Sequence, residues 1–299
     1  MNKEFNLKET SSVDRLAGES DKVDDFKAYL EYVFDNQKVE PWEIKKTEED
    51  ETIIASVLRE MPAFLERYGG KMPPLTLDHF HAVDISADGA PKLKGDAGFQ
   101  TKHQRIIYSP DALDLEPRLS RAQIVAHEVL HFSSYQYYKE EEVDSSSRVG
   151  FKRAGLQVSR GERGDLLEEV SGNLDEAVMD ELSIRFVQDV LSKEPWLLED
   201  PPSVDSDNGN NSLHQLKQDE SGNPYFEPSS HAEEIKALGS LIKYVASKKP
   251  EAYKTEEEVF DLFAKAALTN KMMPLVRALR GSMGKTWLDF VKVLLVRRG

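Results

Sequence analysis

Between Ala122 and Tyr138 the chain reads AQIVAHEVLHFSSYQYY, and within it His127, Glu128 and His131 spell H-E-x-x-H. A step of four residues returns to the same face of an α-helix one turn on. Two imidazoles so placed can meet one metal ion at about 2.0–2.1 Å each. Glu128 sits beside them on the turn and is not needed as a ligand. It can take a proton from water whose pKa such an ion lowers to about 7. The plainer reading is two surface histidines on an ordinary helix. Against it stand Ile124, Val125, Val129, Leu130 and Phe132, an apolar side that packs such a helix. Ser120 and Gln123 read as an S-x-x-Q capping box that starts the helix near Arg121.

Such a site needs a third ligand. A histidine six residues after the second, in H-x-x-G-x-x-H, is absent, because Ser134 and Tyr137 stand at the matching positions. The other option is a carboxylate on a later helix, and NLDEAVMDEL offers it. Glu176 and Asp180 are four apart and share a face with Ser183 and Val187, while Ala177, Val178, Leu182 and Phe186 lie on other faces and can pack. Glu176 suits the ligand position. Asp180 suits a hydrogen bond from a ligating histidine's other ring nitrogen, which fixes tautomer and orientation. Glu168, Glu169 and Glu181 are rivals, and Asn173 with Glu176 also fits an N-x-x-E cap that would use Glu176 at a helix end.

Together, HEVLH and LDEAVMDEL resemble the gluzincins, the thermolysin-like metallopeptidases, where HExxH on one helix is followed by an N-E-A-x-T-D/E signature on the next. Asp175 stands here where that family usually has Asn, and Met179 where it often has Thr. The likeness is specific over the two helices and runs in outline through residues 52–290, leaving the first 45 outside it. The segments FHAVDI and RIIYS ahead of the motif follow the strand order of a zincin domain. The resemblance implies zinc-dependent hydrolysis of a peptide or protein substrate. Zn2+ would be held by His127, His131 and Glu176, with Asp180 behind a ligand. Glu128 would act as general base and then pass the proton to the leaving amine. It also implies a His or Tyr from a later segment that steadies the oxyanion. His231 is the candidate: it follows a cap residue, Ser230, at the positive end of a helix, where neutral imidazole is favoured. Tyr225, His214 and Tyr244 are alternatives. The edge strand in GFQTKHQRIIYS could take an extended peptide by strand addition. A reading of another class keeps the metal site in a regulatory or protein-interaction protein with little or no peptidase activity.

The rest of the chain must position these residues. Of 299 residues, 39% are hydrophobic and 31% charged, the balance of a globular chain with a wet surface. A net charge of -15 repels phosphates and argues against a nucleic-acid partner. There is no cysteine, hence no disulfide and no thiolate ligand or nucleophile, which fits a reducing compartment. No apolar signal region opens the chain and no run approaches the roughly 18 apolar residues of a membrane span. The expectation is a cytoplasmic protein with no membrane partner.

Residues 1 to about 20 are polar and aperiodic and read as a mobile tail. Val23, Phe26, Leu30, Val33 and Phe34 mark an amphipathic helix, and TIIASVLREMPAFLERYGG a second that stops at Gly69-Gly70. LTLDHFHAVDI reads as a strand, GDAGFQTKHQRIIYS as a strand pair, and SRVGFKRAGLQVSRGERGDLLEEV as a short hairpin. KEEEVD, from Lys139 to Asp144, reads as a solvated helix end rather than a calcium loop. His79, His81 and His103 lack partners at ligand spacing and read as structural or solvent-facing. Residues 193–229, rich in Pro, Gly, Asn, Ser and Asp, form a long loop that is either a lid or an insertion. An S-x-x-E box from Ser230 to Glu233 opens a helical end. The expected class is α+β: a tail and helix (1–45), a zincin-like subdomain with a small mixed β-sheet, the HExxH helix and the zinc site (46–192), the loop (193–229), and a helical C-terminal subdomain (230–299).

Overall fold

The computed structural model describes residues 2–7, 9, 11–93, 96–100, 103–110, 117–143, 146–162, 165–170, 172–198, 214–218, 224–228 and 231–286. In chain order these hold β1 (Asn2–Asn6), β2 (Arg15–Glu19), α1 (Ser20–Asp35), β3 (Glu43–Ile44), α2 (Glu48–Arg67), β4 (Phe80–Val83), β5 (Ala97–Gln100), β6 (Arg105–Tyr108) and α3 (Arg118–Ser133). Then come β7 (Gln136–Val143), β8 (Ser146–Ala154), β9 (Gln157–Glu162), β10 (Asp165–Val170), α4 (Gly172–Asp189), β11 (His214–Gln218), β12 (Pro224–Pro228), α5 (Ala232–Lys248), α6 (Glu256–Thr269) and α7 (Met272–Met283). The chain is α+β. No described helix is long and apolar enough to cross a membrane.

The four-stranded sheet has the order β3-β4-β6-β5 and is mixed: β4 and β6 run parallel, while β3 and β5 pair antiparallel at its two edges. A six-stranded sheet has the order β1-β2-β7-β8-β9-β10. The first strands correct the expectation of a tail. β2 lies parallel to β7, with Arg15 opposite Tyr137, and Leu7, Val13 and Leu16 are buried. The turn between β1 and β2 hides in a sequence reading because polar bonds hold it. Ser12 N–H donates to Gln104 Oε1 at 2.7 Å, and Gln136 N–H to Asp14 Oδ2 at 2.7 Å.

Local chemistry explains the helices that carry the site. α2 begins at a capping box: Asp50 N–H donates to Thr47 Oγ1, and Thr47 N–H to Asp50 Oδ2. It ends where Gly69 takes φ +74 and Gly70 N–H returns to Leu65 O. α3 starts earlier than expected, with Pro117 at its N-cap and Arg121 N–H bonding Pro117 O. Ser120 and Gln123 lie inside the helix and are buried, so they form no capping box there. Gln123 Nε2–H donates instead to Ser183 Oγ at 2.6 Å, tying α3 to α4. Arg121 makes a buried ion pair with Asp50, tying α3 to α2.

The helix α3 stops at Ser133, after which Ser134 turns extended and its hydroxyl donates to His131 O at 2.8 Å. The chain then enters β7, so Lys139 to Val143 form a strand rather than a helix end; Asp144 lies outside the described residues. The expected short hairpin is likewise longer, a meander of β8, β9 and β10 joined to β7. In the 193–229 segment, short 3-10 turns and the hairpin β11–β12 are described, and this hairpin lies against α3 and α4. At α5, Ser230 of the expected box lies outside the described residues. One apolar core runs from Phe34 and α2 through α3 and α4 to α5, α6 and α7.

Candidate metal centre

α3 and α4 pack together and bring three donor atoms to one point. His127 Nε2 and His131 Nε2 are 3.0 Å apart, His131 Nε2 and Glu176 Oε2 3.2 Å, and His127 Nε2 and Glu176 Oε2 3.4 Å. Two ligands each about 2.0–2.1 Å from a tetrahedral ion are separated by about 3.3–3.4 Å. The His127–Glu176 edge matches that spacing and the other two are slightly shorter. This group could hold a metal ion.

The other ring nitrogens face carboxylates. His127 Nδ1 lies 2.7 Å from Asp180 Oδ1, and Asp180 is fully buried. His131 Nδ1 lies 3.6 Å from Asp175 Oδ2, also buried. A carboxylate accepts, so Asp180 at 2.7 Å favours the His127 tautomer with the proton on Nδ1 and the lone pair on Nε2, while Asp175 at 3.6 Å is beyond hydrogen-bond distance and biases His131 the same way through its charge. Two lone pairs and a carboxylate oxygen then converge with no donor among them, an arrangement a cation completes.

The electrostatics agree. Burial alone would lower the pKa of His127, but Asp180 and Glu176 outweigh it and raise it well above its ordinary value. Burial opposes protonation of His131 too, and Glu176 and Asp175 raise its pKa. Burial would raise Glu176, yet the two imidazoles hold its carboxyl well below the usual range. Asp175 is pushed up to about 6 by burial, against the opposing pull of His131 and the Leu156 N–H. The surrounding carboxylates thus favour positive charge at this point.

Glu128 is buried at 7% exposure, and no hydrogen bond or ion pair engages it among the described residues. Burial raises its pKa, partly offset by the nearby imidazoles. It is a carboxyl suited to accept and hold a proton.

Glu176 therefore turns toward the histidines; α4 already begins at Gly172, so the alternative cap at Asn173 does not form. Of the rival carboxylates, Glu181 is paired with Arg185 at 2.7 Å, and Glu168 and Glu169 stand in β10. Asp175 is the residue sequence reasoning missed as a partner of His131. The available signal was its place directly before Glu176, on the helix that already serves His127. His231 precedes α5 in a left-handed conformation, φ 52, and its side chain makes no capping bond. Among the described residues no bond joins it to the three donors. His214 and Tyr225 stand in β11 and β12, opposite Pro228 and Lys217. Tyr244 is exposed on α5. His79 and His81 are buried with partners of their own: Thr76 N–H donates to His79 Nδ1, and His81 meets Gln37 and Glu43. His103 is exposed.

No family model, curated protein or solved structure matches this chain. The geometry stands alone.

Replacing Asp180 with Asn removes the charge behind His127 while keeping its shape. Asp180→Asn is expected to weaken zinc binding about 10- to 100-fold, the usual scale for a group that orients a ligand. Competition against a chromophoric chelator reads it. Wild-type affinity in the variant would show that His127 needs no orienting carboxylate.

Proposed function

We propose that the chain is a zinc-dependent metallopeptidase of the gluzincin kind. One observation carries the reading: three acceptor atoms from α3 and α4 converge within 3.4 Å of one another, with both Nδ1 atoms turned to carboxylates. His127, His131 and Glu176 would hold the ion. When bound there, zinc supplies Lewis acidity that polarises a carbonyl and makes water acidic near pH 7.

The chain's own groups do the rest. Glu128 takes the proton of the attacking water. Its upward-shifted carboxyl then carries that proton to the leaving amine. Asp180 and Asp175 keep the imidazoles oriented through the cycle. β5 has one hydrogen-bonded neighbour among the described strands, β6, and packs beside α3. Its open side offers backbone groups to an extended peptide, so a peptide substrate can add as a further strand. The order of small mixed sheet, H-E-x-x-H helix and acidic helix supports a zincin-like arrangement. The oxyanion would be steadied by His231, Tyr225, His214 or Tyr244.

The test is hydrolysis of an unstructured protein substrate by the zinc-loaded chain. Cleavage is expected, with loss on chelation and return on adding zinc. Zinc-loaded protein that leaves the substrate intact would sink the peptidase reading and leave a metal-binding protein of another kind.

A further inference from the structure

The β8–β9 turn reaches the metal centre from outside the two helices. Gly155 and Leu156 are its central residues, between the paired Ala154 and Gln157. Gly155 has φ +57 and Leu156 does not share that sign, as in a type II′ turn with glycine first. The turn is pinned on several sides. Gly155 N–H donates to Tyr135 O at 2.8 Å. Gly155 O accepts from Arg153 Nε at 2.9 Å, and the same guanidinium bonds Ala266 O at 3.0 Å and Asn270 Oδ1. Leu156 is buried in the main core.

From this fixed frame Leu156 N–H donates to Asp175 Oδ1 at 2.6 Å. The other oxygen, Oδ2, is left 3.6 Å from His131 Nδ1. Asp175 occupies the volume a side chain at residue 155 would need. A Cβ built on Gly155 collides with Asp175 Oδ1 and comes to 3.0 Å from its Cγ. The left-handed φ already favours glycine here. The collision is an independent reason, and it points at the metal centre.

We infer that the Gly155–Leu156 turn is a positioning element of the metal centre, setting the Asp175 carboxylate and through it the His131 ring. Residue 155 must lack a side chain for that carboxylate to keep its place. The inference rests on the proposed function only in taking His127, His131 and Glu176 as ligands.

The test is a double-mutant cycle on zinc affinity, read by competition with a chromophoric chelator, using Gly155→Ala, Asp175→Ala and both together. Gly89→Ala is the control, because Gly89 also has positive φ (+78) but nothing within 4 Å of an added Cβ. Gly155→Ala is expected to weaken zinc binding about 10- to 100-fold, as loss of an orienting group does, and Gly89→Ala to leave it unchanged. Asp175→Ala weakens it on a similar scale. The double variant binds no worse than Asp175→Ala alone, since the added methyl then displaces nothing; a merely structural role for Gly155 would instead multiply the losses. A folded Gly155→Ala with wild-type affinity, or fully multiplying losses, overturns the inference. Should Gly155→Ala alone fail to fold, Asp175→Ala with Gly155 intact still reads the inference: weakened zinc binding supports it, and wild-type affinity overturns it. Wild-type protein that takes up no zinc removes the ligand assignment itself, before any variant is compared.

Discussion

Glu128→Gln is expected to keep its zinc and to lose peptide hydrolysis by about 10²- to 10⁴-fold, the range a positioned general base contributes. Gln keeps the size and shape of the side chain but cannot take a proton at neutral pH. Glu128 is not one of the three converging donors, so the ligand set stays whole. The variant therefore separates holding the ion from moving the proton. Metal content by mass spectrometry beside kcat/KM on an unstructured substrate reads both. Activity equal to the wild type would place the base elsewhere and count against the proposed function. Loss of zinc together with activity would make Glu128 a structural carboxylate.

Glu176→Ala is expected to take zinc from about one per chain to well below it, and to abolish hydrolysis with it. The substitution removes Oε2 and leaves two ring nitrogens 3.0 Å apart with no carboxylate between them. A three-ligand site stripped to two should bind far more weakly. Glu181 cannot step in without leaving Arg185, to which it is bonded at 2.7 Å. Mass spectrometry of wild type and variant, purified side by side, gives the ratio. Zinc retained at the wild-type level would move the third ligand to Glu168, Glu169 or another carboxylate. No zinc in either protein, even after its addition, would reduce HEVLH to coincidence.

Features set within one helical turn were legible from the sequence. The four-residue step from His127 to His131, and the same step from Glu176 to Asp180, place each pair on one face whatever the helix packs against. The start of α2 escaped that reading, although Thr47 and Asp50 spell a reciprocal cap. Its end at Gly69-Gly70 was readable from the glycines. Ser120 and Gln123 show the limit. The same residue types cap a helix or bridge two helices, and only the presence of Ser183 on α4 decides that Gln123 bridges.

By itself, then, the sequence determined the α+β order of elements, the two histidines on one face, and an acidic helix able to answer them. Tertiary structure decided which acid meets the histidines, that Asp175 as well as Asp180 lies behind the rings, that Asn2–Asn6 and Arg15–Glu19 are paired strands with the second lying on β7, and that a glycine turn from the six-stranded sheet touches the centre. The reason is physical. A periodicity is written along one element and survives any packing. A contact between elements depends on which surfaces meet, and residues far apart in the chain carry no local mark of it.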